Sequence, residues 1–225
     1  MIAAGHRSSP EAIDALDALC RTYWFPLYAY VRRRVSDQHE AQDLTQEFFA
    51  CLLEQNHFAV ADQERGLFRA FLLTALKHFL VNEWEKAKAL KRGGGRAPLS
   101  LDFDSGESRL RLEPASDQTP ERLFERQWTI TLLDQVLRRL QSEQQAAGKG
   151  SQFDALKQFL AGGREEASYS EVAEELGMSA GAAKVAAHRL RQRYRELLRA
   201  EVAQTVASAD EVDDEIRRLF ETLGN

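Results

Sequence analysis

The spacing of apolar residues constrains the fold of this chain more than any other feature. Apolar residues recur at intervals of three and four along nearly the whole sequence, and no run alternates with the period of two that marks a strand. We therefore predict an all-α fold. With 225 residues, 44% of them apolar, the chain is long enough for two small helical domains, each with its own core.

Signals for helix starts and stops divide the chain into parts. Ser9 and Pro10 fit the start of a first helix that reaches about Arg34 and bends at Pro26. A second helix follows Ser36 and Asp37. A third spans about Gly66 to Lys91 and is predicted to bury one apolar stripe: Phe68, Phe71, Leu72, Ala75 and Phe79.

Three consecutive glycines end the third helix, and the residues after them are rich in Gly, Pro, Ser and Asp. Helix restarts at Thr119, Pro120 and Glu121, which read as cap, proline and acidic first turn. The predicted plan is a domain over 9–92, a flexible linker over 93–118, a second domain over 119–199 and a C-terminal helical extension over 200–225.

The charge is unevenly distributed along the chain. The net charge is −5, which disfavours a nucleic-acid partner, because affinity for phosphates comes largely from Lys and Arg. However, Lys184 to Arg199 holds six basic residues and one acidic residue, whereas Ala200 to Asn225 holds two basic and seven acidic ones. A basic helix beside an acidic tail allows a DNA-facing patch on an acidic chain.

That basic helix lies in a helix-turn-helix pattern, in which a short helix from Ser170, a turn at Gly177 and a cap at Ser179 precede a second helix. Helical spacing turns one stripe of the second helix to the core: Ala183, Ala187, Leu190, Tyr194 and Leu197. The opposite face is predicted to enter a major groove, with arginines beyond it for phosphates: Lys184, Val185, His188, Arg189, Gln192, Arg191, Arg193 and Arg195. An amphipathic helix with a solvated basic face is the alternative.

Several function classes find no support in the sequence. No Gly-rich phosphate loop follows a strand, no helical zinc motif is present, and no nucleophile has an evident base, so we expect no catalytic residue, metal or cofactor. Cys20 and Cys51 stand apart and are expected to be reduced thiols. No apolar run is long enough for a membrane span, and the N-terminus lacks the pattern of a secretory signal, so a cytoplasmic location without membrane insertion is expected.

The segment from Tyr169 to Arg193 resembles the fourth region of extracytoplasmic-function sigma factors, in which the second helix reads the promoter's minus-thirty-five element. The resemblance implies a DNA-binding set for that element: Ser179, Lys184, Val185, His188, Arg189, Arg191, Gln192 and Arg193. Val185 and Ala186 stand where Ser and Arg are frequent in the family. An apolar side chain there can contact a thymine methyl group but cannot donate to guanine.

The first domain carries a second resemblance to the same family, in the segment Ala41 to Phe49. Its Asp-Leu-x-Gln-Glu-x-Phe pattern is similar to the helix that docks on the largest polymerase subunit, which implies a polymerase-binding set: Asp43, Leu44, Gln46, Glu47 and Phe48. Leu44 and Phe48 share the core face of a helix and leave the polar members on other faces. Ordinary surface acids at Asp43 and Glu47 are the alternative.

The third resemblance is between Phe68 to Trp84 and the family helix that melts and reads the minus-ten element. It implies a DNA-facing set at that element: Thr74, Lys77, His78, Asn82, Lys86, Lys88, Lys91 and Arg92. His78 stands where Asn is common in the family. The implied partners are core RNA polymerase and promoter DNA, in a sigma factor that directs transcription initiation and is not an enzyme.

A helix-turn-helix regulator without polymerase docking would account for the second domain but not for the first. The extension 200–225 adds an amphipathic helix with an apolar face: Val212, Ile216, Leu219, Phe220 and Leu223. This face either packs on the second domain, masks the basic helix or binds a controlling partner. An anti-sigma protein, a kinase and the chain's own tail are all open as regulators.

Overall fold

The computed structural model describes residues 10–54, 68–89, 101–112, 118–160 and 166–224. Within these ranges the regular structure is helical, as the periodicity predicts. The α-helices are α1 (Pro10–Arg34), α2 (Gln38–Glu54), α3 (Phe68–Ala89), α4 (Phe103–Leu112), α5 (Pro120–Ala146), α6 (Gly150–Leu156), α7 (Glu166–Glu175), α8 (Ala180–Ala203) and α9 (Val212–Gly224). Short 3₁₀ turns follow α6 at Lys157–Phe159 and precede α9 at Ala209–Glu211.

The chain divides into two compact units. The first comprises the described parts of residues 1–131 with 205–207 and 217–225, and the second comprises 132–204 with 208–216. These packing units need not coincide with functional domains. The predicted domain boundaries at 92, 118 and 199 therefore remain predictions.

In the first unit, α1 is the central element. The helix continues through Pro26 to Arg34, and its residues from Phe25 to Val31 are almost completely buried. A helix that is apolar on all sides must be surrounded. The helices α2 and α4 pack against α1, and α2 also contacts α3.

The buried stripe of α3 differs from the predicted one. Leu72 is buried as predicted, and Leu76 and Leu80 are buried as well, whereas Phe68, Phe71, Ala75 and Phe79 are half-buried. The predicted period is correct, but the buried face is rotated by about one residue. The cause is that α3 has two adjacent apolar stripes, and its neighbours select the leucine stripe.

Part of the segment predicted as a flexible linker is helical. Phe103, at the start of α4, packs edge-on against Trp24 and Tyr28, with ring centroids 5.9 and 5.0 Å apart. The buried Glu107 accepts hydrogen bonds from the Tyr28 hydroxyl at 2.6 Å and from Arg32 Nε at 2.7 Å. Such contacts join residues about eighty positions apart, so local composition does not reveal them.

The first turns of α5 also belong to the first unit. Phe124 and Trp128 are fully buried there, and Trp128 stacks on Tyr23 at 6.3 Å between centroids. Arg69 of α3 is buried as well, with its guanidinium 4.6 Å from the Trp128 ring and its Nε 2.6 Å from Glu125 Oε2. An arginine beside a carboxylate and an aromatic face is a favourable way to bury a cation.

The second unit holds the helix-turn-helix. Phe153 and Phe159 are buried, and Phe159 stacks on Tyr169 at 4.1 Å between centroids. Leu190 and Leu197 on α8 contribute to the same buried set. No helix within the described ranges is both long and apolar enough to cross a membrane.

Candidate functional site

The helix α2 presents a polar face above a buried apolar one. It begins after Asp37, whose Oδ1 accepts a hydrogen bond from the Glu40 backbone N–H at 2.8 Å. Asp43 is exposed and Gln46 and Glu47 are half-buried, so these three side chains form what we call the docking face. Contact of these three side chains with polymerase stays a prediction.

Two members of the predicted polymerase-binding set are buried and do not belong to the docking face. Leu44 and Phe48 are buried in the first unit, at 8% and 2% exposure, and Phe48 packs against Phe79 with centroids 5.6 Å apart. Neither side chain is available to a partner, so the prediction that they bind one is corrected. They position the docking face, since residues at i and i+4 share one side of a helix.

The helix α3 carries an exposed polar band. Thr74, His78, Asn82 and Lys86, spaced by four, are all exposed, and the Thr74 hydroxyl is satisfied by the Ala70 carbonyl at 2.9 Å. Lys86 Nζ lies 2.6 Å from Glu83 Oε1, and this hydrogen bond raises the pKa of the lysine. Lys88 belongs to α3 but its side chain lies outside the described residues, as do Lys91 and Arg92 altogether.

Lys77 is placed differently from the rest of the predicted minus-ten set. It is half-buried, and its Nζ lies 2.9 Å from Glu121 Oε1 on the first turn of α5. The same oxygen is 3.3 Å from Arg34 Nη2 and 3.4 Å from the Tyr30 hydroxyl, both on α1. The hydrogen bond from Lys77 is the main cause of the lowered pKa of Glu121.

Sequence reasoning did not identify Tyr30, Arg34 or Glu121 as members of a site. The sequence signal nearest to this group is the run of three arginines at the end of α1. Burial raises the pKa of Tyr30 to about 12, so its hydroxyl is a neutral donor at neutral pH.

The turn between α7 and α8 has the geometry that a helix-turn-helix needs. Gly177 has φ of +61°, a left-handed conformation that favours glycine. The Met178 N–H donates to the Ala173 carbonyl at 2.9 Å, which closes the end of α7. Ser179 then caps α8, because its Oγ accepts from the Ala182 N–H at 3.2 Å.

The two faces of α8 agree with the predicted ones. Ala183, Ala187, Leu190 and Leu197 are buried, and Tyr194 is half-buried. What we call the recognition face is exposed in full, including Val185 at 51%: Ser179, Lys184, Val185, His188, Arg189 and Gln192. Five side chains capable of hydrogen bonding thus surround one apolar contact.

The two remaining members of the predicted set make contacts within the second unit. Arg191 is half-buried, with Nη2 3.4 Å from the Tyr169 hydroxyl. Arg193 binds Glu143 of α5 through two nitrogens, at 2.8 and 2.9 Å, and Glu196 at 3.0 Å. The bidentate pair lowers the pKa of Glu143. Contact of these arginines with DNA stays a prediction.

The helix α9 of the extension packs on the chain itself. Val212 is buried in the second unit, where Asp213 pairs with Arg199 at the end of α8, and Leu219 is buried in the first unit. Ile216 and Leu223 are half-buried, and Phe220 is half exposed. The recognition face is exposed, and masking of it by the tail stays a prediction.

Comparison with known proteins gives two findings for this chain. Residues 20–89 match the family model of sigma-70 region 2, so α2, α3 and the described part of α1 from residue 20 onward lie within that region. The chain is also 27% identical over 199 residues to "ECF RNA polymerase sigma factor SigE" of Mycolicibacterium smegmatis, a match that covers 88% of this chain and 67% of the relative. Together these two findings support an extracytoplasmic-function sigma factor. No solved structure matches it significantly.

The docking and recognition faces share one structural feature. Each is a polar surface held by a buried apolar stripe of the same helix. Within the described ranges the chain has no group of three or more His, Cys, Asp or Glu side chains suited to a metal ion.

Proposed function

We propose that this sigma factor binds core RNA polymerase through the docking face of α2 and directs it to promoters. In this proposal α3 contacts the minus-ten element and takes part in melting, and α8 reads the minus-thirty-five element. The observation that carries it is the exposed Asp43 beside Gln46 and Glu47 within residues that match sigma-70 region 2. A helix-turn-helix regulator acting alone has no use for such a face.

Recognition of the minus-thirty-five element is supported by the chemistry of the recognition face. Arg189 and Lys184 can donate to guanine or to phosphate, Gln192 can pair with adenine in two hydrogen bonds, and Val185 can contact a thymine methyl group. The proposed readout therefore includes at least one A·T pair opposite Val185. Contacts of the minus-ten strand with α3 are supported by the exposed polar band at Thr74, His78, Asn82 and Lys86.

The test of the proposal begins with the purified full chain and core polymerase from the same organism. Transcription starts are mapped on genomic DNA with and without the chain, and its affinity for core polymerase is measured by pull-down titration. Asp43→Ala with Gln46→Ala is expected to weaken that affinity about thirtyfold, if each side chain contributes about 1 kcal/mol at the interface.

The matched control is Asp154→Ala with Gln152→Ala on α6, which removes the same residue types outside the region 2 match. Its affinity for core polymerase should equal that of the unmodified chain. If the unmodified chain does not associate with core polymerase, the function reverts to a helix-turn-helix regulator. If the two double variants bind alike, α2 is not the docking element.

A further inference from the structure

Three hydrogen-bond donors from two helices converge on one oxygen in the first unit. The Lys77 ammonium from α3, the Arg34 guanidinium from α1 and the Tyr30 hydroxyl all lie within 3.4 Å of Glu121 Oε1. The guanidinium carbon of Arg34 also sits 4.9 Å from the centre of the Tyr30 ring, and Lys77 Nζ sits 6.0 Å from it. The aromatic ring thus holds two cations side by side.

The burial of the donors shows that they are a preformed group. Tyr30 is completely buried, and its hydroxyl is held in place by the hydrogen bond to Glu121 Oε1. The side chains of Arg34, Lys77 and Glu121 are 36%, 39% and 37% exposed. Solvent therefore reaches the Arg34, Lys77 and Glu121 side chains, whereas the Tyr30 hydroxyl is covered while Glu121 is in place.

We infer that Tyr30, Arg34 and Lys77 form a binding site for a backbone phosphate of promoter DNA, in which the Glu121 carboxylate takes the place of the phosphate while DNA is absent. This inference rests on the proposed function and extends the minus-ten surface from α3 onto α1. Lysine, arginine and tyrosine are all common donors to DNA phosphates, and charge-assisted bonds to an oxyanion are the strong ones.

The position of Lys77 on α3 favours DNA as the source of the phosphate. Lys77 lies between Thr74 and His78, which belong to the exposed polar band. A strand that follows this band therefore passes within one helical turn of the site. Consequently, Glu121 competes with DNA for the cations, and the carboxylate lowers DNA affinity without contacting DNA.

The test measures binding of the full chain to a fluorescein-labelled single-stranded DNA of random sequence, by anisotropy over a series of NaCl concentrations. Glu121→Gln keeps the shape but removes the charge, and it should tighten binding about two- to fivefold, the factor that an exposed ion pair of this kind is worth. The dependence of log K on log salt should steepen by about 0.7, the value for one further phosphate on a single strand.

The matched control is Asp154→Asn, which makes the same change in net charge and breaks a similar pair with Lys157 at 2.8 Å on α6. It should bind as the unmodified chain does. In the Glu121→Gln background, Lys77→Ala should abolish the gain, and Tyr30→Phe should weaken binding although no charge changes. The Tyr30→Phe variant keeps the ring, so circular dichroism and thermal unfolding should match the parent.

The inference is overturned if Glu121→Gln binds DNA no more tightly than Asp154→Asn, including the case in which neither binds. Binding to core polymerase and start-site use are measured for the same variants. If core polymerase is not bound, the proposed function fails; if it is bound and Glu121→Gln behaves as the control, only this inference fails.

Discussion

The pair between Arg69 and Glu125 gives the sharpest prediction about stability. Arg69 is 5% exposed, its Nε is 2.6 Å from Glu125 Oε2, and its guanidinium lies over Trp128. Glu125→Ala removes the carboxylate and leaves a buried cation without this partner. A hydrogen bond to a charged group is worth about 1.5–3 kcal/mol. We therefore expect the free energy of unfolding to fall by about 2 kcal/mol.

Urea unfolding followed by far-ultraviolet circular dichroism measures this loss. With a slope of about 2 kcal/mol/M, the midpoint should move by about 1 M to lower urea. The matched control is Glu83→Ala, which removes a carboxylate from an exposed pair with Lys86 on α3 and should give a much smaller shift. Comparable shifts in the two variants would refute the reasoning.

A second pair of variants separates the missing carboxylate from the buried charge. Arg69→Met combined with Glu125→Leu removes both ions and keeps most of the volume, so it should recover part of the stability lost in Glu125→Ala. If the double variant is less stable than Glu125→Ala by more than the experimental error, contacts of Arg69 other than Glu125 dominate. In that case the buried charge left by Glu125→Ala is not the main cause of its lower free energy of unfolding.

Two further predictions concern the helix-turn-helix. Gly177→Ala should lower the free energy of unfolding by about 1 kcal/mol, because the φ angle of +61° is unfavourable for alanine even though an added Cβ has open space. The control is Gly181→Ala, which lies inside α8 and also has open space. It should raise the free energy of unfolding by up to about 1 kcal/mol in the same urea assay. Glu143→Gln should release Arg193 from its pair with Glu143, leaving the pair with Glu196, and should steepen the salt dependence of duplex DNA binding by up to about 0.9. Because the folded pKa of Glu143 lies below its ordinary 4.5, the stability this carboxylate adds is present above that pH and is lost as pH falls through the folded pKa. Stability curves of the parent and Glu143→Gln should therefore converge in acid, and curves that stay parallel would contradict the pairing.

The helices themselves were predictable because their signals are local. The first helix was expected from Pro10 to about Arg34, and α1 has these bounds. The cap at Ser179 and the turn at Gly177 were also expected, since both depend on residues within three positions. The recognition face followed from the same periodicity, as the exposure of Val185 shows.

The predictions that differ from the structure share one cause. Contacts with residues distant in the sequence select one of several local structures that the sequence allows. On α3 the leucine stripe and the phenylalanine stripe have the same period, and packing selects the first. The helix α4 is weakly apolar and forms where Phe103 and Glu107 meet an aromatic and basic part of α1. Its composition alone reads as linker, so no periodicity argument would have identified it.

The same reasoning explains why an acidic chain can serve a DNA-binding function. The basic helix and the acidic tail are separate in the sequence, but in the structure other acidic side chains lie directly beside the cations. In the first unit Glu121 pairs with Lys77, and in the second unit Glu143 pairs with Arg193. Both lysine and arginine were predicted to hold DNA. A phosphate that replaces either carboxylate exchanges one ion pair for another, so the net charge of −5 understates the affinity that the exposed recognition face and these cations can provide.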